Sequence, residues 1–76
     1  MNDLIAILNE IRPGQNFSEA KDFFADGILD SLDLTALVAA LEARYGVFLD
    51  VEEIVPENFR NLAAIQSILN RHGIAL

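Results

Sequence analysis

Leu4, Ile5, Leu8 and Ile11 recur at the spacing that lines up side chains on one side of an α-helix. Asn2 stands where a cap belongs and Pro13-Gly14 forms a stop, which predicts a first helix over about residues 3–12. From Gln15 to Leu29 the helical period is lost. Phe17, Phe23, Phe24, Ile28 and Leu29 nevertheless make this stretch too apolar for a free linker. It is expected as an ordered loop laid across the helices, anchored by Phe23 or Phe24 and by Ile28.

The period returns with Leu34, Leu37, Val38, Leu41 and Tyr45, the inward stripe of a second helix from about Ser31 to Tyr45. Gly46 ends it, since glycine adopts the left-handed conformation of a helix C-terminus without strain. The opposite side reads Leu32, Thr35, Ala36, Ala39 and Ala43, between Asp33 and Glu42. A solvated helix face ordinarily carries more Glu and Lys. Small residues let a partner helix approach while few long side chains lose entropy, so this face suits transient docking, although helix propensity alone accounts for any one alanine.

Val47-Phe48-Leu49 reads as an apolar connector, Val51 to Ile54 as a helical turn, and Pro56 to Phe59 as another, with proline at its first position. Asn61 then caps a last helix from about Leu62 to Arg71, with Leu62, Ile65, Ile68 and Leu69 inward and Gly73 closing it. No segment alternates with the period of a strand, and no internal repeat appears. The expected fold class is all-α, a bundle of three principal helices with one or two short helical turns between the second and the last.

Seventy-six residues correspond to one small domain, residues 1–76, near the lower size limit for a core without staples. The 53% hydrophobic content supplies that core, and the lack of cysteine removes disulfides, thiolate catalysis and cysteine zinc sites. No apolar run approaches the roughly 18 residues of a membrane span, and no basic signal pattern opens the chain. A cytoplasmic monomer is the expectation. The net charge of −7 argues against a nucleic-acid partner. It is also unevenly spread. From Glu19 to Asp33 five carboxylates (Glu19, Asp22, Asp26, Asp30, Asp33) face Lys21 alone, which concentrates negative potential beside Ser31.

Ser31 therefore draws the chemistry of the chain to itself. In Asp26-Gly27-Ile28-Leu29-Asp30-Ser31-Leu32-Asp33 a glycine turn leads into a helix start, where the serine hydroxyl should stand in water. Plain capping accounts for part of this pattern: Asp30 as N-cap and Asp33 at the third helical position form an acidic capping box near the positive end of the helix dipole. A nucleophilic serine would need a base, and the single histidine, His72, sits at the far end of the last helix. A chain this short has little room for a substrate pocket and an oxyanion hole as well, so Ser31 reads as the substrate of another enzyme. Calcium fits poorly. Asp22, Asp26, Gly27 and Asp33 match positions 1, 5, 6 and 12 of a helix-loop-helix calcium site, but position 3 is Phe24 and position 12 lacks the bidentate Glu.

Phe24-x-x-Gly27-Ile28-Leu29-Asp30-Ser31-Leu32, followed by Leu34-x-x-Leu37-Val38-x-x-Leu41-Glu42-x-x-Tyr45-Gly46, resembles the acyl carrier and peptidyl carrier protein family. Phe59-x-x-Leu62-x-x-Ile65 is similar to the family's lead into its final helix, so the likeness covers nearly the whole chain. The resemblance implies a small acyl-carrier-like helical bundle in which Ser31 receives 4′-phosphopantetheine from coenzyme A through a phosphopantetheinyl transferase. The thiol of that arm then bears an acyl or aminoacyl thioester, loaded by a ligase or adenylating enzyme and passed to downstream acyl-processing enzymes. Asp30 and Asp33 would meet the transferase and repel the attached phosphodiester; Leu32, Thr35, Ala36 and Ala39 would form the docking face. Carriers of fatty acid synthesis typically show further glutamates along the second helix, where this chain has Ala36, Ala39 and Ala43 with Arg44 at the edge, leaving Asp30, Asp33, Glu42, Glu52 and Glu53 as acidic contacts. That departure leans toward a specialised freestanding carrier of the aminoacyl, D-alanyl or secondary-metabolite kind. The competing reading is an unmodified helical interaction module that uses the same alanine-rich face to hold a stable partner.

Overall fold

A computed structural model describes residues 2–75 of the chain, with side chains from residue 3. Three α-helices, α1 (Asn2–Ile11), α2 (Ser31–Tyr45) and α3 (Leu62–Arg71), are joined by a long loop and by two 3-10 turns, Val51–Glu53 and Pro56–Phe59. Among the described residues there is no strand. This is the expected all-α fold, with both short turns between α2 and α3. Asn2 belongs to α1; its side chain, expected as a cap, lies outside the described residues.

The stripe of α1 is rotated from expectation. Leu4, Ile7 and Leu8 are buried and Ile11 packs against them, whereas Ile5 is only half-buried at the flank. At 3.6 residues per turn Ile7 lies about 60° around the axis from Leu4 and Ile5 about 100°, so a face centred on Leu4, Leu8 and Ile11 takes in Ile7 and leaves Ile5 out. The other helices bury the positions their spacing called for: Leu34, Leu37, Val38 and Leu41 from α2 with Tyr45 half-buried, and Ile65, Ile68 and Leu69 from α3 with Leu62 half-buried. An ion pair between Arg44 and Asp3, 3.2 Å apart, runs from α2 to α1 on the outside and turns Arg44 away from the small-residue face.

The long loop is ordered by one residue. Phe23 is completely buried and meets the ring of Phe17 edge-on, centroids 5.3 Å apart at 89°, while Phe24 stays half-buried. Phe23 rather than Phe24 is the anchor, because its peptide group is also the better placed. Its N–H donates to the Arg60 carbonyl at 2.6 Å, and its own carbonyl accepts from Ile28 and Leu29, each at 2.9 Å. The loop is thereby tied to the approach to α3 on one side and to the approach to α2 on the other. Ile28 packs against the core half-buried, and Leu29 behind it is the deeper plug. Gly27, at φ 73°, supplies the left-handed turn that folds Ile28 and Leu29 back onto Phe23. Burial of a side chain such as Phe23 contributes roughly 1.5–3 kcal/mol.

Asn61 does two jobs. Its Oδ1 accepts from the Ala64 N–H at 2.8 Å, capping α3, and its Nδ2 donates to the Lys21 carbonyl at 3.2 Å. At the far end of α2, Gly46 (φ 67°) donates to the Glu42 carbonyl, and Glu42 Oε2 accepts from the Leu49 N–H at 3.0 Å. Glu42 thus fastens the connector instead of flanking a docking face. The connector alternates: Leu49 is buried and Phe48 between its neighbours is 88% exposed.

Candidate functional site

The head of α2 is locked from both directions. Asp30, in extended conformation, accepts the Asp33 N–H on Oδ1 at 2.9 Å, and Asp33 Oδ2 accepts the Asp30 N–H at 3.0 Å, a reciprocal capping box. The Asp30 carbonyl takes the first helical bond, from Leu34 at 2.9 Å. Between these two carboxylates Ser31 is the first helical residue, with its side chain exposed and its carbonyl accepting from the Thr35 hydroxyl at 3.2 Å. Leu32 is 81% exposed, and Thr35, Ala36, Ala39 and Ala43 continue the same open side of α2, away from Leu34, Leu37, Val38 and Leu41.

One charged partner of the site comes from elsewhere in the chain. Arg12, just beyond α1, donates Nε–H to Asp33 Oδ2 at 2.9 Å and Nη2–H to Asp30 Oδ2 at 3.4 Å. Asp33, with its side chain 14% exposed, is held in place by Arg12 and the Asp30 N–H. Asp30, 57% exposed, keeps an open edge. The Asp33 N–H, helped by the Arg12 charge, holds the Asp30 carboxyl below the usual carboxylate range against a smaller opposing effect of desolvation. The negative potential expected from five carboxylates facing Lys21 alone is therefore reduced at Asp30 and Asp33. Their charge is half-neutralised by a guanidinium 18 and 21 residues away in sequence. The charge pattern contained a signal for this: Arg12 and Lys21 are the cations preceding Ser31, but a local window starting at Glu19 excludes the arginine.

Other carboxylates of the loop serve the backbone. Asp22 Oδ1 accepts from the N–H groups of Phe24 and Ala25, both at 3.0 Å, which is an Asx-type turn. Among the described residues no group of three or more His, Cys, Asp or Glu side chains is placed to hold a metal ion. Glu53 is likewise committed. It accepts the Asp50 N–H at 3.0 Å and meets His72 Nε2 at 2.9 Å, which removes Glu53 from the acidic contacts and occupies the chain's one imidazole.

Residues 2–69 match the family model described as the phosphopantetheine attachment site. The chain belongs to this family. Its members carry covalently attached 4′-phosphopantetheine and act as carriers, not as catalysts, and that is the role of this chain. Neither the curated proteins nor the solved structures yielded a match. No helix among the described residues is long and apolar enough to cross a membrane. An exposed hydroxyl at the start of α2 is of the chemical kind that can bear such an arm. Ser31 is exposed as the first residue of α2, the start of that helix is closed by the Asp30–Asp33 capping box, and the exposed side formed by Leu32, Thr35, Ala36 and Ala39 runs on from it.

Proposed function

We propose that Ser31 Oγ bears the 4′-phosphopantetheine arm and that the carrier holds an acyl or aminoacyl group on it as a thioester. The observation that carries this reading is the exposure of Ser31 as the first residue of a helix whose start is closed by a two-way capping box. The box matters because a transferase needs the hydroxyl outward in a single backbone geometry, and Asp30 and Asp33 hold that geometry before any partner arrives. Attachment joins Ser31 Oγ to a phosphorus of coenzyme A; the hydroxyl proton leaves and adenosine 3′,5′-bisphosphate departs. The arm supplies the thiol that a cysteine-free chain lacks. Tethering then raises the effective concentration of cargo at each docked enzyme without any noncovalent affinity for the cargo.

The transferase meets Asp30, whose outer edge is open. Leu32, Thr35, Ala36 and Ala39 form the face on which the transferase, the loading ligase or adenylating enzyme and the later acyl-processing enzymes dock in turn. With Glu42 and Glu53 committed to the fold, that face is more apolar than acidic, which supports an aminoacyl or other specialised cargo over a general fatty-acid role. Incubation with coenzyme A and a broad-specificity transferase should add one phosphopantetheine by mass, and Ser31→Ala should add none. An unmodified wild type beside a converted control carrier would refute the assignment.

A further inference from the structure

We propose that Arg12 determines which partners the head of α2 accepts: it occupies Asp33 as a partner's cation would, and leaves Asp30 as the open carboxylate that the transferase meets. The inference rests on the reading of Ser31 as the attachment point. Arg12 Nε–H donates to Asp33 Oδ2 at 2.9 Å, and the Asp30 N–H donates to the same oxygen at 3.0 Å. The Asp33 side chain is left 14% exposed. Asp30 differs. It meets Arg12 Nη2 at a longer 3.4 Å and stays 57% exposed, although its other oxygen holds the Asp33 N–H. The two carboxylates are thus unequal toward an approaching molecule, and the shorter guanidinium bond falls on the more covered of them.

The position of Asp33 on the helix makes its occupation matter. At about 100° per residue it lies about 60° around α2 from Ala36, on the rim of the exposed side that Leu32, Thr35, Ala36 and Ala39 form. A free carboxylate at that rim would attract a basic partner. A guanidinium across it, itself 45% exposed, presents positive charge to the same approach. A partner whose cation is set against Asp33 is therefore disfavoured by like charge, whereas one that brings a neutral or acidic group to that edge is accepted. The fold does not depend on this pair. Leu4, Ile7 and Leu8 bury α1 in the core, and at its opposite end Asp3 pairs with Arg44 of α2 at 3.2 Å. Loss of the guanidinium thus uncovers Asp33 instead of undocking α1.

The test is the rate at which a broad-specificity transferase modifies the intact chain with coenzyme A, followed by mass, in the parent, Arg12→Gln, Asp30→Asn, Asp33→Asn and the double variant Arg12→Gln/Asp33→Asn. In the parent, Asp30→Asn should raise the KM for the chain more than Asp33→Asn does. Arg12→Gln should lower that KM about three-fold, the size of one exposed charge contact, and the gain should shrink as salt is added. Asp33→Asn should then cost about three-fold more in the Arg12→Gln chain than in the parent, a coupling that independent structural damage does not produce. Arg12→Lys, which keeps the charge, should stay nearer to the parent than to Arg12→Gln. A KM for Arg12→Gln that is unchanged or raised, or an equal cost of Asp33→Asn with and without Arg12, overturns the proposal. So does an Asp33→Asn cost in the parent as large as that of Asp30→Asn, a comparison that needs no Arg12 variant to fold. A chain that gains no arm beside a converted control carrier overturns the Ser31 reading and this inference with it.

Discussion

His72 Nε2 lies 2.9 Å from Oε1 of Glu53, so the C-terminal cap of α3 is fastened to the 3-10 turn that follows α2. Glu53 is at the same time the reciprocal partner of Asp50 in the capping box of that turn. One carboxylate therefore closes a loop of contacts around the end of the bundle remote from Ser31 in the chain.

The pH dependence of stability follows from Glu53 and Asp30. The Asp50 N–H first, and His72 second, hold the Glu53 carboxyl below its ordinary value; the Asp33 N–H first, and Arg12 after it, do so for Asp30. A carboxyl depressed in the folded state contributes stability that is complete above its unfolded value and lost as pH falls through the folded one. Thermal melts should be insensitive to these two groups above about pH 5 and fall steadily below about pH 4. Glu53→Gln should lower the neutral-pH melting temperature and flatten the acid limb. An acid limb as steep as the wild type's would remove Glu53 from this account.

Tyr45 offers a stabilising substitution. Its hydroxyl oxygen is buried with no hydrogen-bond partner among the described residues, and burial, with the Asp3 charge adding, pushes its pKa up. Tyr45→Phe removes the orphaned group and keeps the ring packing. Stability should rise by about 1 kcal/mol, or about 4–8 °C in melting temperature for a domain of this size. A fall in melting temperature would mean that the hydroxyl has a partner in solution.

Two phenylalanines should behave oppositely. Phe23 is fully buried against Phe17, so Phe23→Ala should cost about 3–5 kcal/mol, enough to leave so small a bundle largely unfolded at ambient temperature. Phe48 is 88% exposed, and Phe48→Ser should change stability by less than about 0.5 kcal/mol. Denaturant titration compares the two directly, and similar midpoints would contradict the packing described.

Leu32 tests the docking face apart from the attachment point. At 81% exposure it contributes little to the fold, so Leu32→Ser should leave the melting temperature nearly unchanged. Losing a leucine-sized contact should lower the transferase kcat/KM by roughly ten-fold or more, through KM above all. Unchanged kinetics would move the contact surface elsewhere on α2.

Much of the site was readable before any coordinates. Asp30 and Asp33 bond across three residues, Asn61 caps within three, and Gly46 closes α2 onto Glu42; each is a local event decided by a short stretch of backbone. Helical spacing likewise selected Leu34, Leu37, Val38 and Leu41, because a 15-residue helix has few ways to hide its stripe. Between the neighbours Phe23 and Phe24 spacing had no means to decide, and the choice depended on a bond to Arg60; in α1 the period of about 3.6 residues around Leu4, Leu8 and Ile11 already favours Ile7 over Ile5.

The amino-acid order by itself thus determined three helices, the caps of the second and third and a serine at the head of the second, since these depend on hydrogen bonds and periodicities spanning a few residues. Tertiary structure decided what surrounds that serine. Arg12 reaches Asp30 and Asp33 only because α1 docks beside α2, and Glu53 meets His72 only because α3 folds back toward the turn after α2. Side chains so far apart in the chain are brought within bonding distance by the packing of the whole bundle, which no local spacing encodes.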